Sequence, residues 1–183
     1  MKITNSIKGY GTAAILLHWI MAVLIIGLFV LGKYMVDLGY YDEWYHSAPW
    51  WHKSFGITVF ALLLFRLIWK LLNAVPESLP TYETWEIKTA KLVQISFYIL
   101  LFIICISGYF ISTSKGADVE VFGLFDMPSF VAYGKVQADI AGKVHKLSGH
   151  VLFATFMLHV AAAIKHHFLN KDITLIRMFK PVN

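Results

Sequence analysis

The chain has 183 residues, 58% of them hydrophobic and only 15% charged, with a formal net charge of +5 and a mean hydropathy of +0.63. A soluble domain of this size is nearer half apolar, with about a quarter of its residues charged, so the composition excludes an ordinary soluble globule and marks a polytopic membrane protein. The single cysteine, Cys105, excludes an internal disulfide, a C-x-x-C zinc or redox site and a covalent C-x-x-C-H haem attachment.

In chain order, the first apolar run covers 13–36. Lys2 and Lys8 precede it, as in a signal peptide. The run is nevertheless longer than a signal h-region of about 7–15 residues, and no small-x-small cleavage site follows it. It is read as a retained first span. Further runs cover 50–72, 92–112 and 144–169, each 21 to 26 residues long like the first. Helices of that length cross a hydrocarbon core about 30 Å thick. The expected fold is all-α: one domain over 1–183, an integral membrane four-helix bundle. The connection 73–91 carries the only Pro-rich stretch, VPESLPTYE. The connection 113–143 has 31 residues, more than a linker needs, and is expected to cover something.

Four spans put both termini on one side, and charge selects the side. The termini and the 73–91 flanks carry Lys2, Lys8, Arg66, Lys70, Lys88, Lys91, Lys165, Lys171, Arg177 and Lys180. The opposite flanks carry Lys33, Lys53, Lys115, Lys135, Lys143 and Lys146, diluted by seven acids. Ten basic residues against six favour cytoplasmic termini. Tyr34, Trp44, Trp50, Trp51 and Trp69 stand at the run ends as interface anchors. A basic excess on a membrane rim needs no nucleic-acid partner.

Imidazoles are costly in hydrocarbon, yet the chain has eight histidines. His18 begins the first span near the inner side, and His52 begins the second near the outer side. His145 begins the fourth near the outer side, and His159 follows 14 residues later. At about 1.5 Å and 100° per residue, His159 lies about 21 Å deeper, on nearly the same helix face as His145. The depths therefore pair His52 with His145 and His18 with His159. Two trans imidazoles per site, facing each other across a bundle core, suit two b-type haems. The residues four positions after these ligands are Ala22, Gly56, Gly149 and Ala163. Gly56 and Gly149 end the near-repeat HKSFG and HKLSG, leaving room beside the ligands for a planar ring. Arg66, Lys53 and Lys146 are candidate propionate partners. Arg66 reads equally as a snorkelling span-end anchor, and the two lysines as interface anchors. A lone intramembrane histidine also reads as an interhelical hydrogen-bonding residue. A metal-transport bundle, the other specialised reading, fits two separated two-histidine sites poorly.

The remaining histidines divide. His150 is about 140° off the ligand face and reads as a packing or interhelical hydrogen-bonding residue. His46 falls in an outer loop. His166 lies two turns beyond His159 on the same face, a candidate for hydrogen-bonding a quinone oxygen, with a membrane-surface histidine as the plain alternative. His167 reads as interfacial, and Cys105 as lipid- or core-facing filler.

The pattern resembles the prokaryotic cytochrome b561 family over essentially the whole chain. It is carried by H-W at His18–Trp19, H-K-x-x-G at His52–Gly56, I-S-G-Y at Ile106–Tyr109, and H-x13-H from His145 to His159. The HHF turn (His166–Phe168) and the tail KDITLIRMF (Lys171–Phe179) add to it. Many relatives carry a further histidine near the start of span three, where this chain has Gln94. The resemblance implies a multi-pass protein of the bacterial inner membrane with two non-covalent b haems. These would pass electrons between a periplasmic donor and the quinone pool, ubiquinone being the expected acceptor. One branch of the family oxidises superoxide at the outer haem, and Lys53, Lys143 and Lys146 could steer such an anion. Related haem subunits anchor hydrogenases and formate dehydrogenases, so a haem-bearing anchor for a larger periplasmic dehydrogenase is the alternative reading.

Overall fold

The computed structural model describes residues 3–130, 132 and 134–181. Lys2, counted above toward the basic rim, lies outside them, as do two positions of the 113–143 connection. The described chain forms α1 (Thr12–Met35), α2 (Ser47–Leu72), α3 (Thr84–Ser112) and α4 (Lys135–Ile164). A short antiparallel hairpin, β1 (Val119–Val121) and β2 (Phe125–Met127), lies between α3 and α4. One π-helical turn (Lys165–Leu169) and one 3₁₀ turn (Ile176–Met178) follow α4. All four helices are long and apolar enough to cross a membrane.

The helices outrun their apolar runs at the N-terminal ends. α3 starts at Thr84 rather than at residue 92, and α4 at Lys135 rather than at 144. Polar residues at a span end sit in the interface, where helix formation costs nothing in desolvation, so the helix continues past the hydrocarbon boundary. The start of α3 is capped: the Glu83 amide donates to Glu86 Oε2 at 3.0 Å, satisfying one of the orphan donors of a first turn. α2 carries Pro49 in its first turn, where a missing N–H removes no helical bond.

Many apolar side chains, such as Val23, Leu71, Leu147 and Leu158, are exposed, while few, such as Met21, Ala48, Val59 and Leu63, are buried, together with the hydroxyl of Ser54. Exposed apolar surface of this extent belongs to helices that face lipid, where close approach rather than hydrophobic burial drives packing.

By internal contacts the chain forms two compact units, each drawing a segment from all four helices. The first comprises Met1–Met21, Leu62–Tyr98 and Phe153–Asn183; the second comprises Ala22–Ala61 and Ile99–Leu152. The division follows the charge pattern. Among the described residues, the first unit holds the nine other basic residues assigned to the inner rim, and the second holds the other six with the seven acids.

Within the second unit the hairpin caps α2. Its turn places Phe122 and Gly123 at positive φ (52° and 68°), and the Leu124 amide donates to Val121 O at 3.0 Å. Positive φ is unfavourable for a bulky residue. Phe122 is held there by its amide, which donates to Ser54 Oγ at 3.1 Å, and by rings at 5.1 Å (Phe55), 6.0 Å (Trp51) and 6.2 Å (Trp50). The long connection thus covers the end of α2 that carries His52.

Candidate functional site

The second unit brings His52 of α2 and His145 of α4 together, with ring centroids 6.1 Å apart at 71°. The His145 Nδ1–H donates to Ile104 O at 2.9 Å, with the Ser107 hydroxyl 3.3 Å from the same nitrogen. A carbonyl only accepts, so the proton is fixed on Nδ1 and the Nε2 lone pair stays free. A backbone carbonyl commonly orients a metal-binding imidazole in this way. His52 Nδ1 is buried with no hydrogen-bond partner.

Each ring rests on a glycine of a helix that supplies no ligand here. A Cβ built on Gly32 of α1 would stand 3.1 Å from His52 Cε1, and one on Gly108 of α3 would stand 3.0 Å from His145 Cε1. Neither glycine was singled out from the sequence, although Gly108 lies in the I-S-G-Y motif. Gly56 and Gly149 behave oppositely, since a Cβ on either would meet nothing within 4 Å. Gly56 lines an apolar cavity of about 270 Å³ together with Phe60, Cys105, Tyr109 and Phe130. Lys53 is half-buried and Lys146 exposed. His150 is exposed; its Nδ1 lies 2.7 Å from Lys146 O, one turn back, and its ring packs edge-on to Phe29 at 6.0 Å. His46 packs edge-on to Tyr45 and Tyr40 in the α1–α2 connection.

The first unit brings His18 of α1 and His159 of α4 to a centroid separation of 6.3 Å at 61°. Phe97 of α3 meets His159 edge-on at 5.5 Å. Trp19, next to His18, stacks on Phe179 at 4.8 Å and donates its indole N–H to Met178 O, which ties the C-terminal segment to the α1 turn bearing His18. Arg66 donates from Nη2 to His18 Nδ1 at 3.3 Å. The sequence suggested it as a propionate partner; here its guanidinium sits on the ligand ring itself. Arginine only donates, so in this contact His18 carries its proton on Nε2. Gln94 accepts from Lys70 Nζ at 3.3 Å.

His166 lies in a polar cluster of the same unit. Its Nδ1 is 3.0 Å from Asp172 Oδ2 and its Nε2 is 3.8 Å from Glu86 Oε1. Tyr82 packs its ring 4.6 Å from the imidazole and hydrogen-bonds Thr174 Oγ1 at 2.6 Å. Burial alone would raise the Asp172 carboxyl. Donation from the Thr174 hydroxyl and amide and from His166 outweighs it and holds that group below its ordinary value. Glu86, Asp172 and Tyr82 were not anticipated: the run starting at 92 left Glu86 outside any span. His167 meets Phe168 edge-on at 4.8 Å.

The two pairs fit a haem iron in a measurable respect. A metal–imidazole bond of about 2 Å on each side, plus the distance from nitrogen to ring centre, puts the centres of two trans imidazoles about 6 Å apart. Among the described residues, no three His, Cys, Asp or Glu side chains form a bare metal site.

The family model described as prokaryotic cytochrome b561 matches residues 9–181. The chain is 42% identical over 178 residues to cytochrome b561 homolog 2 of Escherichia coli, covering 97% of this chain and 95% of that protein. It is 28% identical to the probable superoxide oxidase CybB of Yersinia pestis, covering 93% and 96% respectively. It is 25% identical to cytochrome b562 of Cereibacter sphaeroides, covering 94% and 96%.

Proposed function

The chain belongs to the prokaryotic cytochrome b561 family, membrane b-type cytochromes of the bacterial inner membrane, and on that premise we propose that it is a di-haem electron carrier. His52 and His145 hold an outer haem, and His18 and His159 hold an inner one. The observation that carries this reading is the ring separation of 6.1 Å in one pair and 6.3 Å in the other, the spacing that a six-coordinate iron requires of two imidazoles. When bound, haem b supplies one-electron chemistry. The protein's own residues select and orient it. The Ile104 carbonyl fixes the His145 tautomer, and Gly32 and Gly108 let the outer rings seat against α1 and α3. Gly56 and Gly149 leave space beside the ligands, and the Trp19–Met178 bond steadies the α1 turn bearing His18. Ligation of His18 through Nε2 requires its proton on Nδ1, which excludes the present Arg66 contact. With haem bound, Arg66 would be free to pair with a propionate carboxylate, and Lys53 and Lys146 would be the cations available to do so on the outer side.

The direction proposed is from a periplasmic donor to the quinone pool, with both termini cytoplasmic, ubiquinone as acceptor and His166 at the quinone end. The likeness to a protein named as a probable superoxide oxidase supports superoxide as the donor. Lys53, Lys143 and Lys146 are the cations available to steer it, against seven acids in the same unit. A reduced-minus-oxidised absorption spectrum of the purified protein tests the haem reading: a b-type α-band is expected, and its absence rejects the proposal. Superoxide generated enzymatically in the presence of ubiquinone-1 is expected to yield quinol in proportion to the protein added. A rate equal to the protein-free control rejects superoxide as donor. Copurification at native abundance with a larger dehydrogenase would favour the anchor reading instead.

A further inference from the structure

We propose that Lys165, Glu86 and His166 form a proton-uptake path for quinone reduction, with Asp172, Thr174 and Tyr82 fixing the His166 ring. The inference rests on the quinone reading above and deepens it.

The six side chains come from three stretches of the first unit: the approach to α3, its first turn, and the chain following α4. They form one line with a single wider step, between Glu86 and His166. Lys165 Nζ donates to Glu86 Oε1 at 2.6 Å, the same oxygen stands 3.8 Å from His166 Nε2, and His166 Nδ1 donates to Asp172 Oδ2 at 3.0 Å. Thr174 donates to Asp172 Oδ1 from both its amide and its hydroxyl. Tyr82 closes the line on that hydroxyl. Exposure drops from 43% for the Lys165 side chain to 8% for Glu86 and 12% for His166. It therefore reaches from an exposed ammonium to a half-buried imidazole.

Two features set this cluster apart from a clamp that merely ties down the C-terminal segment. Asp172 and Thr174 supply such a clamp on their own. Glu86, which caps the start of α3 through its other oxygen, and Lys165 lie outside that clamp, and a buried carboxylate is expensive unless paired. Lys165 and His166 also stand on a π-helical turn, a local irregularity that is frequent at functional sites.

The two ring nitrogens are unequal. Nδ1 is committed to Asp172, which fixes the ring plane. Nε2 is 3.8 Å from Glu86, beyond hydrogen-bond length, so its N–H is the donor open to an incoming carbonyl oxygen. Reduction of a quinone to quinol takes two electrons and two protons. The electrons arrive singly through the cytochrome. For each proton, imidazolium His166 breaks its Nε2–H bond, an O–H bond forms on the reduced quinone, and neutral His166 keeps its Nδ1 proton toward Asp172. The Lys165 ammonium then passes a proton to Glu86 and regains one from the aqueous rim, and Glu86 restores Nε2–H before the second transfer once the 3.8 Å step closes to hydrogen-bond length.

The test is stopped-flow reoxidation of the dithionite-reduced cytochrome, whole and in proteoliposomes, by ubiquinone-1 and, separately, by ferricyanide, which takes an electron without a proton. Glu86→Gln and His166→Gln are expected to slow reoxidation by ubiquinone-1 about 100-fold or more, the range of general acid–base effects. Reoxidation by ferricyanide is expected to stay within twofold of wild type, and Glu86→Asp to recover most of the quinone rate. Should the Gln variants fail to load haem, Lys165→Met leaves both carboxylates in place and is expected to slow the quinone reaction about tenfold. Quinone rates within twofold of wild type in the haem-loaded variants overturn the path, as does equal slowing with both oxidants. A wild-type protein that ferricyanide reoxidises and ubiquinone-1 does not overturns the quinone reading itself.

Discussion

Gly108→Ala probes the seat of His145. The added methyl would stand 3.0 Å from His145 Cε1 and 3.2 Å from Nδ1. Unstrained contacts between such atoms lie at about 3.5–4.0 Å, so the ring must retreat by about half an ångström. It cannot do so freely, because Nδ1 is tied to Ile104 O at 2.9 Å. Overpacking of this kind costs about 1–3 kcal/mol. Spent against haem binding, that is about a 5- to 140-fold loss of affinity at about 1.4 kcal/mol per decade. The assay is titration of haem into protein purified from haem-limited cells, followed by the Soret band. Only one of the two binding phases is expected to weaken. Gly27→Ala, where a Cβ meets nothing within 4 Å, is the control and is expected to bind both haems normally. Wild-type affinity in Gly108→Ala, or equal losses in the control, would refute the reasoning.

Three further outcomes follow from the same geometry. Ser54→Ala removes the acceptor of the Phe122 amide and is expected to destabilise the hairpin by about 1–3 kcal/mol, the cost of an unsatisfied buried donor, seen as faster proteolysis within the 113–143 connection. Arg66→Met is expected to lower the midpoint potential of one haem only, by about 50 mV or about 1 kcal/mol for one electron, in a spectroelectrochemical titration. Folding lowers the Asp172 carboxyl from 3.8, so its ionised form is the stabilised one. That contribution is complete above 3.8 and is lost as pH falls through the lower folded value. Limited proteolysis of the C-terminal segment between pH 7 and pH 2 is expected to accelerate only at the acid end in wild type, and already at pH 7 in Asp172→Asn.

Much of this arrangement was legible in the sequence, because hydrocarbon imposes strong constraints. Backbone groups must be satisfied internally and imidazoles need a reason to be there. Apolar run length therefore gave the four spans, and helical rise and rotation gave the pairing of His52 with His145 and of His18 with His159. Features that depend on contacts between distant segments were not legible. Gly32 carries no local mark within an apolar run and gains meaning only from His52 beside it. Glu86 precedes the apolar part of α3, so hydropathy stopped short of it, and its partner Lys165 lies 79 residues away. The hairpin was hidden because its turn places a phenylalanine at positive φ, which no turn preference favours; aromatic packing overrides that preference. Arg66 was placed at the right depth for the inner histidines, but depth cannot say whether a guanidinium meets a propionate or a ring nitrogen.

Haem stoichiometry by pyridine haemochrome, per purified chain, tests the two-pair arrangement most directly. Wild type is expected to hold two b haems, and His145→Ala and His159→Ala one each, with different α-bands remaining in the native reduced spectra of the two variants. Two haems retained in either single variant, or one haem in wild type, would contradict it.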